Sequence, residues 1–152
     1  VAKDWLDPGT RPVNEYGSKV QIGKTGNVKN KQYSDWRRTL GDGCYANDID
    51  WLEWRQGPDG LPRFVALIET TFYEDKPELR DKLENYCNAA LNRFKRDGQF
   101  GVTKRVSEAL GVPAFFVIAR YDLEVFYVCR LSDEIWACFD EPLYRQWIKT
   151  MR

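Results

Sequence analysis

The sequence predicts an α/β fold in which a mixed central sheet is flanked by helices. Three observations predict it. Two near-continuous apolar runs, one from Ile49 to Arg55 and one from Phe64 to Thr71, read as strands joined by a turn through Gly57, Pro58, Asp59, Gly60 and Pro62. The strongest helical stripe in the chain comes next, and two further strand-like runs follow it. A strand pair separated from a second pair by a helical crossover can rejoin one sheet in parallel, which gives a layered arrangement.

Each element has its own local reason. Residues 1–32 are poor in periodic apolar positions and rich in Gly, Asn and Lys, so they read as a loop-rich basic arm leading into a single domain that spans residues 1–152. Tyr33, Trp36, Arg37 and Leu40 recur at helical spacing behind Ser34, and Gly41 with Gly43 ends that short helix. After the hairpin, Asp75 is placed to cap a helix with Pro77 in its first turn and Glu78 at the capping-box position. Its stripe is Leu79, Leu83, Tyr86, Cys87, Ala90, Leu91 and Phe94. A shorter helix runs through Val102, Val106, Ala109 and Leu110 and is closed by Gly111 and Pro113. Ala114–Arg120 and Val125–Leu131 read as strands around a turn near Asp122, and residues 134–139 offer a short third. Asp140 and Pro142 open a terminal helix on which Leu143, Trp147 and Met151 lie together.

Composition narrows the chemistry. The chain of 152 residues balances 23 basic against 23 acidic side chains, so contact with nucleic acid has to come from a local patch. It contains no histidine, which removes Ser-His-Asp and Cys-His catalysis, His-ligated zinc and nucleases that use a histidine base. The four cysteines, Cys44, Cys87, Cys129 and Cys138, form no CxxC pair, and Cys87 and Cys129 sit inside apolar patterns. A reducing cytoplasm is the expected location, since no apolar run approaches the roughly 18–20 residues of a membrane span and no signal sequence opens the chain. Gly23-Lys24-Thr25 ends a glycine-containing run, but the glycine spacing is one residue too long for a phosphate loop and no buried strand precedes it.

The candidate site comes from register. A hairpin symmetric about Asp59 and Gly60 sets Asp50 opposite Glu69 and Asp48 opposite Thr71, all four on one face. Opposed carboxylates repel by about 0.2–1 kcal/mol in a sheet, and more where water is excluded. Glu69 also follows Val65, Ala66, Leu67 and Ile68, which puts its charge at the tip of a buried strand. A hard divalent cation would offset both costs, because Mg²⁺ takes one or two carboxylates, a carbonyl and waters.

At Asp48-Ile49-Asp50-Trp51-Leu52-Glu53 and Val65-Ala66-Leu67-Ile68-Glu69-Thr70-Thr71 the chain resembles the PD-(D/E)xK nuclease superfamily, the restriction-endonuclease-like fold. The resemblance implies a restriction-endonuclease-like core and a metal-dependent nuclease, a hydrolase of phosphodiester bonds in DNA in preference to RNA. It implies Asp50 (or Asp48) and Glu69 as ligands of Mg²⁺ or Mn²⁺, with the Thr70 carbonyl as a further ligand. The superfamily's lysine, two residues after the second acid, is Thr71 here. Lys82-Leu83-Glu84-Asn85-Tyr86 resembles the Gln-x-x-x-Tyr signature of the RecB-related exonuclease branch, with lysine in the glutamine position, so Lys82 is the expected substitute and Tyr86 a supporting residue. Glu15 could be the acid that some members supply from an N-terminal helix. Members of this fold often cleave as dimers, which makes a homodimer an expectation too.

Two stretches carry a local net charge of about +4, residues 1–40 and residues 93–105. Within them Arg37, Arg38, Lys95, Arg96, Lys104 and Arg105 are the expected phosphate contacts, and Trp36 could add stacking. Trp51, Trp54, Trp136 and Trp147 read as packing residues. The loss of lysine at Thr71 keeps a second reading open, a catalytically inactive nuclease-fold protein that binds nucleic acid or a protein partner. A third is an inhibitory or structural protein whose acidic hairpin edge meets a basic partner, with no metal.

Overall fold

The computed structural model describes residues 32–33, 35–37, 39–40 and 47–152. The rest of the basic arm, with Glu15 and Gly23-Lys24-Thr25, lies outside the described residues, as do Arg38 and Cys44. The chain divides into two units, Val1–Ala46 and Asn47–Arg152. In the first, residues 32–33 and 35–37 are helical, and the Leu40 N–H donates to the Arg37 carbonyl at 3.1 Å. The rings of Tyr33 and Trp36 lie 5.5 Å apart at a tilt of 37°, and both are exposed.

The second unit holds an α/β arrangement with a five-stranded mixed sheet. In chain order its elements are β1 (Trp51–Gln56), β2 (Pro62–Tyr73), α1 (Pro77–Arg80), α2 (Leu83–Arg96), α3 (Gln99–Leu110), β3 (Ala114–Arg120), β4 (Val125–Arg130), β5 (Ile135–Asp140) and α4 (Glu141–Thr150). The strands lie in sequence order; β2 and β3 are parallel, and every other neighbouring pair is antiparallel. The three helices α1 to α3 form the crossover that the parallel pair requires.

Alternation along the strands sorts side chains between two apolar layers. Leu67, Tyr73, Phe116, Ile118 and Cys129 face α2 and α3, where they meet Cys87, Ala90, Leu91 and Phe94. Ile68, Val117, Ala119, Phe126 and Val128 face α4 through Tyr144, Trp147 and Ile148. Each large apolar side chain taken fully out of water contributes about 1.5–3 kcal/mol. With five consecutive buried residues from Val65 to Glu69, β2 is the strand that both layers hold in place.

Several local expectations need correction. The helix expected behind Asp75 is broken into α1 and α2, because Lys82 leaves helical geometry at φ −128° and becomes the residue that precedes α2. Lys76 rather than Asp75 precedes α1, since the Asp75 carboxylate is held by Arg80 at 3.1 and 3.0 Å. On α3 the inward position is Thr103, while Val102 and Leu110 are exposed; the helix sits rotated from the face that its apolar residues suggested. On α4, Tyr144, Trp147 and Ile148 pack, as does Met151 just beyond the helix, and Leu143 is exposed, although Asp140 caps the helix as expected by accepting from the Leu143 N–H at 2.9 Å. Trp136 and Trp147 are packing residues, with Trp147 4.9 Å from Phe115. Trp51 and Trp54 are not: both are about half exposed, because β1 carries no helical layer over these two side chains.

Candidate active site

The hairpin reaches its register by an unexpected route. The turn closes with the Gly57 N–H donating to the Leu61 carbonyl at 2.8 Å, and Gly60 supplies the positive φ of 78° that the turn demands. Pairs next to the turn are therefore Gln56 with Pro62, Arg55 with Arg63 and Trp54 with Phe64, one residue off the symmetric arrangement. A bulge then inserts Val65, and the pairs beyond it are Glu53 with Ala66, Leu52 with Leu67 and Trp51 with Ile68. Asp50 stands one residue beyond the last ladder pair, Trp51 with Ile68, and makes no ladder pair itself. The strand itself begins at Trp51, so Asp48 and Ile49 precede it and Asp48 makes no ladder pair with Thr71.

Asp50 sits in a bend where β1 begins, and its side chain turns onto the neighbouring strand. Its Oδ2 accepts from the Thr70 N–H at 2.8 Å and from the Thr70 hydroxyl at 3.0 Å. The carboxylate thus takes the place of the carbonyl that a longer β1 would have offered. In a strand, the N–H and C=O of one residue project to the same side, so the Thr70 carbonyl faces the same sheet edge as Asp50.

Glu69, the residue before that amide, turns to the α2 and α3 layer and is only 3% exposed. Its Oε1 accepts from the Thr103 hydroxyl of α3 at 3.1 Å. Among the described residues, Glu69 and Thr103 are the buried polar residues. Thr71 follows on the same face and is half-buried. Sequence reasoning missed Thr103: a threonine inside an apolar helical pattern carries no spacing signal, and only the partner across the layer reveals its use.

The other expected site residues are placed as follows. Lys82 is exposed at the start of α2, and no ion pair joins it to an acid among the described residues. Tyr86 packs on Tyr73 at 5.9 Å, and its hydroxyl donates to the Phe72 carbonyl of β2 at 3.5 Å, which ties α2 to the strand that carries Glu69. Lys95 at the end of α2 and Lys104 on α3 converge on the Phe100 ring at 5.3 and 5.4 Å. Lys95 also pairs with Glu134, Arg96 with Asp97 at 3.6 Å and Arg105 with Glu108 at 3.8 Å. Arg37 belongs to the other unit, and Arg38 lies outside the described residues. A cleft of about 330 Å³ lined by Lys104, Ser107, Glu108, Pro113, Leu131 and Ser132 includes neither Asp50 nor Glu69.

Asp48, Asp50 and Glu69 do not gather into a three-carboxylate cluster, and no group of three or more Cys, Asp or Glu suited to a metal occurs among the described residues. Asp50 turns onto the Thr70 amide and Glu69 into the α2 and α3 layer, so the two acids lie on either side of one stretch of β2 backbone, with the Thr70 carbonyl on the edge that Asp50 meets. Comparison with known protein families, with curated proteins and with solved structures finds no match for this chain. Among the described residues, no helix is long and apolar enough to cross a membrane.

Proposed function

We propose that this chain is a metal-dependent nuclease with a restriction-endonuclease-like core, hydrolysing phosphodiester bonds in DNA. The observation that carries the reading is the Asp50 carboxylate seated on the Glu69–Thr70 peptide, with a buried acid immediately before that peptide. Asp50, Glu69 and the Thr70 carbonyl would hold Mg²⁺ or Mn²⁺, with Asp48 the alternate acid. When bound, such an ion makes its water easier to ionise and offsets charge that grows on the phosphate. The chain's own residues do the rest. Thr70 orients Asp50 through two hydrogen bonds, the apolar layer around Glu69 excludes bulk water, and Lys82 supplies the positive charge that Thr71 lacks. Lys95, Arg96, Lys104 and Arg105 form a basic track for the backbone of the nucleic acid.

The direct test is cleavage of plasmid and single-stranded DNA with Mn²⁺. Glu69→Gln should abolish it while the circular dichroism spectrum stays unchanged; cleavage at the wild-type rate would remove the assignment.

A second reading, a catalytically inactive nuclease-fold protein that binds nucleic acid or a protein partner, is favoured by Thr71 at the lysine position and by the exposed place of Lys82. Calorimetry with millimolar Mn²⁺ separates the two. Heat that disappears in Asp50→Asn supports the nuclease, and no heat from the wild type supports the binding protein. Mn²⁺-dependent cleavage that appears only in Thr71→Lys would likewise mark the natural chain as inactive.

A further inference from the structure

The buried polar pair in the α2 and α3 layer has a use that its neighbours do not suggest. Thr103 is 1% exposed, Glu69 is 3% exposed, and the Thr103 hydroxyl lies 3.1 Å from Glu69 Oε1. Around them the layer is built from Leu67, Phe94, Phe116, Ile118 and other apolar side chains. A carboxylate in such surroundings is costly unless donors fix it, and an apolar side chain in place of Thr103 would pack there without that donor. Thr103 also lies on the same helix as Lys104, which reaches Phe100 and faces the basic end of α2. One helix therefore holds the acid from inside and presents the basic track outside.

We infer that Thr103 is a positioning residue for Glu69, its hydroxyl holding Oε1 so that the carboxylate is pre-set for a divalent cation. This inference rests on the metal-dependent reading of Asp50 and Glu69. Orienting a ligand from outside the coordination shell is commonly worth about 10- to 100-fold in metal affinity, because an unoriented ligand has to be ordered when the ion arrives.

The test is isothermal calorimetry of Mn²⁺ binding to the full chain, with thermal denaturation run beside it. Thr103→Val should fold and bind Mn²⁺ about tenfold or more weakly. Thr103→Ser, which keeps the donor and removes one methyl, should stay within about twofold of wild type, because the hydroxyl that orients Glu69 is retained. Wild-type affinity in a folded Thr103→Val overturns the inference and leaves the metal reading standing. A folded Thr103→Ser that binds as weakly as Thr103→Val also overturns it, since a structural role alone then explains both. If Thr103→Val does not fold, Thr103→Ser against Thr103→Ala decides by the same comparison. No Mn²⁺ binding by the wild type, with Glu69→Gln indistinguishable from it, removes the metal reading and this inference together.

Discussion

Asp50 closes the open end of the hairpin by accepting two hydrogen bonds from one residue, the amide and the hydroxyl of Thr70 at 2.8 and 3.0 Å. It therefore has a structural part to play that is separable from its charge. Asp50→Ala should destabilise the chain by about 1–3 kcal/mol, because the Thr70 N–H loses its acceptor. Asp50→Asn keeps an acceptor and should recover most of that loss in urea denaturation, yet still lose Mn²⁺ binding. Equal destabilisation by both substitutions would show that charge, not acceptance, holds this edge.

Lys82 offers a cleaner separation of roles, since it is exposed and its side chain caps nothing. Lys82→Ala should leave the melting temperature and Mn²⁺ affinity unchanged and lower the cleavage rate by about 10²-fold or more, the scale of a lost acid–base group. An unaltered rate would move the positive charge elsewhere on the protein.

The convergence of Lys95 and Lys104 on Phe100 places two cations on one small area between α2 and α3. Fluorescence anisotropy with labelled duplex DNA should show weaker binding by Lys104→Glu. The slope of log affinity against log salt should fall by about 0.9 for each phosphate contact removed. Weaker binding with the same slope would mean that the lysine shapes the surface without meeting phosphate.

Leu123 turns the β3–β4 hairpin at a φ of 60°, a conformation that costs a side-chain-bearing residue about 1–2 kcal/mol. It is also about half exposed. Leu123→Gly should stabilise the chain by about 0.5–1 kcal/mol, after the entropy that glycine loses on folding is counted. A lower melting temperature would show that Leu123 packs usefully despite its exposure.

Burial pushes the thiols of Cys87 and Cys129 up to about 11, while Cys138 lies exposed. Both buried groups hold their protons in the folded chain after an unfolded chain would have released them near 9. Their contribution to stability is thus complete below pH 9 and falls as the pH rises from about 9 to about 11. In native protein at pH 8, Ellman's reagent should label Cys138 promptly and Cys87 and Cys129 only when denaturant is added. Prompt labelling of Cys87 would contradict the packing of α2 on the sheet.

Much of the fold was legible because its elements announce themselves locally. The strands β2, β3, β4 and β5, the capped start of α4 and the long stripe of α2 all follow from short-range periodicity. The break at Lys82 was not legible, because Leu79, Leu83 and Tyr86 keep helical spacing across it. Nor was the inward face of α3, where Thr103 is buried and two apolar residues are not. The offset between the two strands was read from a symmetric turn that does not exist; the turn is one residue off, and the bulge at Val65 restores the offset for the pairs from Glu53 with Ala66 to Trp51 with Ile68.

What the sequence determined by itself is the pattern: which segments alternate, which recur at helical spacing, and that Asp50 and Glu69 belong to neighbouring strand segments of a chain without histidine; that Glu69 lies inside β2 and not at its tip came only with the structure. Only the tertiary structure decided the partners of those acids, Asp50 to the Thr70 amide and Glu69 to the Thr103 hydroxyl. The reason is range. Periodicity is set by bonds a few residues apart, whereas a hydrogen bond between residues 69 and 103 exists only once the crossover has laid α3 across β2.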